Sequence, residues 1–183
     1  MASESLTWSR ILPWSAATDA DWEAVFAEQL PRIYNFFRYR VGDGPDAEDL
    51  TSATFERAWR ARHRYRRDVA GFGTWLHAIA RNLAVDHHRS KRRHEPLEAA
   101  ENVSAGRTPE EIGAQRSDFE RLGRLLEALE ARERELVALK YGAQLTNRAI
   151  ARLTGLSESN VGTILHRTVG KLRAEWFTEG EAR

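Results

Sequence analysis

The sequence predicts an all-α protein made of two small helical domains joined by a flexible acidic linker. Three observations lead there. Apolar residues recur at steps of three and four through most of the 183 residues, with no sustained strand-like alternation. That periodicity fades from about His94 to Arg116, where Pro96, Gly106, Pro109 and Gly113 gather with an acidic excess. Charge is also segregated along the chain although the net charge is only +1. Residues 1–56 carry 4 basic and 10 acidic side chains, residues 57–93 carry 11 and 2, residues 94–130 carry 4 and 9, and residues 131–183 carry 9 and 6. Two basic zones alternating with acidic ones point to two surfaces that meet a polyanion and two that avoid it or meet something basic.

The first helix is expected from about Asp21 to Val41, with Trp22, Val25, Phe26, Leu30, Ile33, Tyr34 and Phe37 on one face and Pro31 kinking or splitting it. Gly42-Asp43-Gly44-Pro45 ends it as a turn. A second helix, about Asp46 to His63, buries Leu50, Phe55 and Trp59 and turns Asp46, Glu48 and Asp49 outward, where acids also complement the helix dipole. After a loop from Tyr65 to Gly73, a third helix runs from about Thr74 to Arg92 with Leu76, Ala80 and Leu83 inward. Beyond the linker, with a short helical turn expected after Pro109, four helices are expected near Ser117–Leu129, Ala131–Tyr141, Asn147–Leu153 and Glu158–Glu175.

Several classes are excluded. Cysteine is absent, which removes disulfides, thiolate metal sites and a cysteine nucleophile. No stretch approaches the roughly 20 apolar residues of a membrane helix, so no membrane insertion is expected. The N-terminus has one arginine and no continuous apolar run, unlike a signal peptide, which predicts a cytoplasmic protein. His63, His77, His87, His88 and His94 lack ligand spacing, and adjacent His87 and His88 point apart on a helix. No metal, cofactor or catalytic residue is therefore expected.

Two constellations carry chemistry. In Leu145-Thr146-Asn147-Arg148-Ala149-Ile150-Ala151-Arg152-Leu153-Thr154-Gly155-Leu156-Ser157, a capped short helix ends in a glycine turn and Ser157 can cap the next helix, which is helix-turn-helix spacing. On that second helix Val161, Leu165, Thr168, Val169 and Leu172 face Ile150 and Leu153. The opposite face presents Ser159, Asn160, Thr163, His166, Arg167, Gly170 and Arg173. Small polar groups there can reach base edges, while Arg167, Lys171 and Arg173 can hold phosphates. On the third helix Trp75, Ile79, Asn82, Asp86, Arg89 and Arg93 share a face or its edge, beside a loop holding Tyr65, Arg66, Arg67 and Phe72. Rings to stack on bases and arginines to track a backbone suit single-stranded nucleic acid. Core aromatics and solvated arginines are the plainer alternative, and for Trp75 the two readings stay open.

Asp46-Ala47-Glu48-Asp49-Leu50-Thr51, Phe55-Glu56-Arg57-Ala58-Trp59 and Thr74-Trp75-Leu76-His77-Ala78-Ile79-Ala80-Arg81-Asn82-Leu83-Ala84-Val85-Asp86-His87-His88-Arg89 together resemble region 2 of bacterial sigma factors. The closing helix-turn-helix resembles their region 4, and the two-domain layout is similar to the extracytoplasmic-function group of the sigma-70 family. The resemblance implies a region 2-like domain at residues 19–93, a linker at 94–116 and a region 4-like domain at 117–178. Tails would lie at residues 1–18, which hold Trp8 and Trp14, and 179–183. It implies a promoter-specificity subunit, not an enzyme, that binds core RNA polymerase through the β′ clamp helices and the β subunit. Asp46, Glu48, Asp49 and Leu50 would meet the basic clamp helices. Asn82 with Tyr65 and the loop after it, which holds Arg66 and Arg67, would hold a flipped base of the −10 element on the non-template strand, and Trp75 and Asp86 would also contact that element. Arg89, Lys91, Arg92 and Arg93 would neutralise adjoining phosphates. Thr146, Arg148, Ser159, Asn160, Thr163, Arg167, Lys171 and Arg173 would serve the −35 element. Many members of the group are held by an anti-sigma factor, so such a partner is implied in general, though no residue identifies it.

The chain departs from the family pattern at three places. Trp75-Leu76 stands where primary sigma factors carry two tryptophans, which implies a weaker strand-separating wedge and stricter promoter choice. Ala149 stands where a Glu commonly precedes Ile-Ala, and Gly162 and Ile164 stand where basic residues are frequent. The alternative function is a stand-alone helix-turn-helix regulator. Against it, one such module without a heptad seam lacks the second half-site contact that dimeric repressors use.

Overall fold

The computed structural model describes residues 22–66, 68–94 and 111–181, and every regular element among them is helical. The elements are α1 (Trp22–Val41), α2 (Pro45–Ala61) with a 3-10 turn at Arg62–Arg64, α3 (Phe72–His94), α4 (Glu111–Glu127), α5 (Ala131–Val137) running into a π turn at Ala138–Gly142, α6 (Asn147–Thr154) and α7 (Glu158–Glu181). The N-terminal tail and most of the acidic linker lie outside the described residues. Of the expected linker, residues 111–116 belong to α4, which begins earlier than the fading periodicity suggested.

Local chemistry explains the boundaries. Gly42 and Gly44, at φ 97° and 148°, make the turn after α1, and Pro45 opens α2 at a position where its missing N–H is no loss. Asp46 and Glu48 fall in the first turn of α2, as the dipole favours. Pro31 neither splits nor ends α1, which runs 20 residues in all, from Trp22 to Val41. Ala27, whose carbonyl Pro31 leaves without an N–H donor, is exposed, so water can take that carbonyl. Within α2 the buried hydroxyls of Thr51 and Thr54 donate to the carbonyls of Ala47 (2.6 Å) and Leu50 (2.7 Å), so neither is an unpaired polar group.

The core is one cluster that runs through both halves of the chain. Ile33, Phe36 and Phe37 of α1 are completely buried, as are Leu76 and Ala80 of α3 and Leu136 and Leu139 of the second half. The buried faces of α3 (Leu76, Ala80, Leu83) and α7 (Val161, Leu165, Thr168) are those the periodicity predicted. That of α1 differs. Phe36 joins the core with Gln29 and Arg40, whereas Phe26 and Leu30 remain 42% and 38% exposed. The reason is that α1 is covered from two directions, by α2 and α3 and by α4, α5 and the π turn. Close approach on the second side needs a glycine. A Cβ added at Gly142 would lie 2.8 Å from the Asn35 carbonyl oxygen and 3.0 Å from the Phe36 Cα.

His77 is the principal titratable group inside the first half. It is fully buried, its Nδ1 lies 2.7 Å from the Gly73 carbonyl, its Nε2 has no partner, and its ring meets Phe36 edge-on. Burial pushes its pKa down to about 4 from an ordinary 6.5. The unfolded chain therefore takes up the proton first. The stability that His77 contributes is full above about pH 6.5, falls as pH drops towards 4 and levels off below that. Denaturant titrations should show an acid-dependent loss on the order of 3 kcal/mol across this window in the parent beyond that of His77→Gln. Parallel pH profiles for the two proteins would refute this role.

Candidate nucleic-acid and polymerase interface

The acidic start of α2 lies on the surface. Asp46, Glu48 and Asp49 are exposed, whereas Leu50 is 8% exposed and belongs to the core. Leu50 thus holds the acids in place rather than presenting itself to a partner. Asp46 also sits 3.4 Å from His87 of α3, and Arg57 lies 3.9 Å from Asp86. Arg57 and Asp86 are both exposed, and Asp46 is exposed while His87 is half-buried; at such surface sites contacts contribute only about 0–1 kcal/mol and exchange readily for other partners.

Beside this surface the loop before α3 folds over a group of rings. Tyr65, Phe72 and Trp75 lie 5.3–5.4 Å apart by centroid, Phe72 meets Trp22 at 5.2 Å, and Trp22 meets Trp59 at 5.4 Å. The Arg62 guanidinium stacks 4.2 Å over Trp59. All five rings are half-buried. Trp75 therefore packs against the core and keeps part of its surface open. Arg66 is tied to Asp68 at 2.7 Å, and Arg67 lies outside the described residues. On α3, Asn82, Asp86 and Arg89 are exposed in one polar tract and Lys91 is exposed beyond it; Arg92 and Arg93 continue the helix, their side chains outside the described set. Ile79, expected on the same face, packs against the core instead.

The helix-turn-helix forms as its capping residues dictate. The Thr146 hydroxyl accepts the Ala149 N–H at 3.2 Å, Gly155 takes the left-handed conformation at φ 74°, and the Ser157 hydroxyl accepts the Asn160 N–H at 3.1 Å. Ser159, Asn160, Thr163, His166, Arg167, Gly170 and Arg173 line the exposed face of α7, with the Thr163 hydroxyl turned back to the Ser159 carbonyl at 3.1 Å. Lys171 is engaged elsewhere. It lies 2.9 Å from Glu133 of α5 and holds that carboxyl below its ordinary pKa. Arg148 sits 3.7 Å from Glu158, and both are exposed. The two departures on α7 point inward: Ile164 packs against the core, and a Cβ at Gly162 would face Asn147 of α6 at 3.5 Å. Basic contacts at those positions would need a different helix rotation, which leaves the polar face to Thr163 and Arg167.

Sequence reasoning missed Arg81, the residue that joins the two constellations. Its guanidinium donates to Glu135 of α5 at 2.6 Å and to the Leu153 carbonyl at the end of α6 at 3.1 Å. Only its place one step from Asn82 could have drawn attention to it. Among the described residues no group of His, Asp and Glu could hold a metal ion, and no helix is long and apolar enough to cross a membrane.

Because Thr146 acts first as a cap, Thr146→Ala should cost about 1 kcal/mol of stability, and Thr146→Ser should restore most of it. Urea denaturation decides this. Equal stability of the alanine variant would leave Thr146 a DNA contact only.

Comparison with known proteins agrees with this geometry. Residues 25–94 match the family described as Sigma-70 region 2, and residues 119–172 match Sigma-70, region 4. The chain is 34% identical over 160 residues to the RNA polymerase sigma factor CarQ of Myxococcus xanthus, covering 86% of this chain and 89% of that protein. It is 30% identical over 174 residues to the ECF RNA polymerase sigma factor BldN of Streptomyces coelicolor, covering 93% of this chain and 66% of that protein. In fold it is similar to the sigma factor RpoE of Bartonella quintana, solved in complex with the anti-sigma factor NepR, at a TM-score of 0.65 and 19% identity over 84% of this chain and 95% of that one. The chain belongs to the extracytoplasmic-function group of the sigma-70 family, the promoter-specificity subunits of RNA polymerase.

Proposed function

We propose that the exposed acids at the start of α2 dock on the basic β′ clamp helices, that the α3 tract with the ring group takes the unpaired −10 strand, and that the exposed face of α7 reads the −35 element. The observation that carries this reading is the exposure, side by side, of an acidic helix start and a polar tract flanked by half-open rings. A polar tract alone would serve any surface, but rings with part of their faces open serve stacked bases. In this reading Asn82 hydrogen-bonds the edge of an extruded base while Tyr65 and Trp75 border it, and Arg66, Arg67, Arg89, Lys91, Arg92 and Arg93 neutralise phosphate. Ser159, Asn160, Thr163 and Arg167 face base edges, and Arg148 and Arg173 hold the backbone. Lys171 and Thr146 support the module through Glu133 and the α6 cap.

The functional units are residues 19–93 and 117–178, acting in the cytoplasm as a binding subunit with no catalytic group of their own. The β subunit and an anti-sigma factor complete the set of protein partners, the latter in keeping with the Bartonella quintana neighbour, which was solved with one.

Reversing Asp46, Glu48 and Asp49 to lysine together should abolish association with core polymerase while leaving helix content unchanged. Unaltered affinity in a titration against core enzyme, with normal circular dichroism, would remove this surface from the reading. Asn82→Ala should leave core binding intact and weaken open-complex formation by about 1–3 kcal/mol, the cost of an unpaired base edge. Permanganate reactivity of the −10 region measures it, and equal reactivity in parent and variant would make Asn82 structural only.

A further inference from the structure

We propose that Gln144, between the π turn and α6, is a further DNA contact of the helix-turn-helix, its side-chain amide donating to a backbone phosphate beside the −35 element. The inference rests on the proposed reading of that element by α7.

Gln144 is the one non-glycine residue with positive φ among the described residues, at 57°. The fold imposes this conformation. Ala143 before it is completely buried and donates its N–H to the Ala138 carbonyl at 2.9 Å. Leu145 after it packs against the core and donates to the Leu139 carbonyl at 3.0 Å. Between two residues held inward the chain turns at residue 144, and it does so through the left-handed region. Glycine enters that region freely, and asparagine can bond its own backbone there. Glutamine has a Cβ to crowd and an amide one methylene farther out.

No contact within the described chain offsets this strain. Gln144 is exposed, and its amide meets no hydrogen-bond partner among the described residues. Strained positions cluster where a ligand is held. The surroundings of this one identify the ligand. Asn147, three residues on, accepts a hydrogen bond from Lys140 Nζ at 2.9 Å and faces Gly162 of α7, where a Cβ would lie 3.5 Å from its amide nitrogen. The turn is thus pinned beside the first half of α7. Three residues of chain span at most about 11 Å, so Gln144 lies within roughly 25 Å of Thr163, the exposed residue next to Gly162. The major groove is about 12 Å wide, so the phosphates that border it fall inside that radius when Thr163 stands over its floor. In a helix-turn-helix the first helix crosses the DNA backbone, and here that is α6, whose start also exposes Arg148. An amide N–H on a phosphate oxygen is a neutral contact that fixes register without reading sequence.

Core polymerase carrying the parent chain can select a promoter from random-sequence DNA. Affinity is then measured on two fragments, one with the −35 duplex and one ending downstream of it. Gln144→Gly removes both the strain and the amide. It should raise the melting midpoint by about 2–4 °C and yet weaken binding to the longer fragment about three- to tenfold, with no change on the shorter one. Gln144→Lys and Gln144→Glu keep the strain and should act in opposite directions. Lysine should tighten binding and steepen the slope of log K against log salt by about 0.9, and glutamate should weaken binding more than glycine does. Parent-like affinity of all three variants for the longer fragment overturns the proposal, as do equal effects on both fragments, or lysine and glutamate variants that behave alike. A midpoint for Gln144→Gly at or below that of the parent overturns it too, since the conformation would then cost nothing. Arg167→Ala is the control for α7: if it binds the longer fragment as the parent does, the reading by α7 fails, while Gln144 is still judged by its own variants.

Discussion

Adjacent Phe36 and Phe37 are both completely buried, and this requires α1 to be covered from two sides. Neighbouring residues on a helix point about 100° apart, so no single apolar surface can cover both rings. Helices α2 and α3 supply cover on one side, and α5 with the π turn supplies it on the other. The rest of the molecule follows from that. The second half must approach close enough to meet α1, and Gly142 permits it. Once the helices are in place, Arg81, midway along α3, reaches the end of α6.

What could be read in the sequence was whatever is decided within one helical turn. The Thr146 cap, the Gly155 stop and the Ser157 cap are each fixed by a residue's own chemistry and that of its neighbours three positions away, and each formed as expected. The inward faces of α3 and α7 were legible because each is amphipathic with one dominant apolar side. The face of α1 was not. A helix covered from two sides loses its single stripe, so the pattern favoured Phe26 and Leu30, which are partly exposed, and passed over Phe36 and buried Arg40.

The candidate surfaces divide the same way. Exposure of Asp46, Glu48, Asp49 and Asn82 was foreseeable from polarity at helical spacing. The partner of Lys171 was not, because Glu133 lies 38 positions away in sequence and only folding brings the two together. Likewise Trp75 was ambiguous for a physical reason. The ring group shares each member between neighbours, so each ring is packed against others and yet only half-buried, which the pattern of one helix cannot distinguish from full burial. Anchoring suits the proposed role, since a base stacking on a ring that is already immobile does not have to order it.

The same division bears on how a subunit with nearly balanced charge could, on the proposed reading, engage both a polyanion and a basic protein surface. The acidic start of α2 is in contact with α3 through Asp46 and His87, and Arg57 with Asp86, yet both contacts lie at the surface and are weak. Strong, buried pairs would hold these charges inside the molecule and leave nothing for a partner. Weak ones keep acidic and basic helices compatible in one small domain while allowing each to exchange its internal neighbour for an external one at little cost. The better-formed bonds, Arg81 to Glu135 and Lys171 to Glu133, lie between helices rather than at the acidic start of α2. Rigidity is thus concentrated where the fold needs it, and electrostatic freedom where binding does.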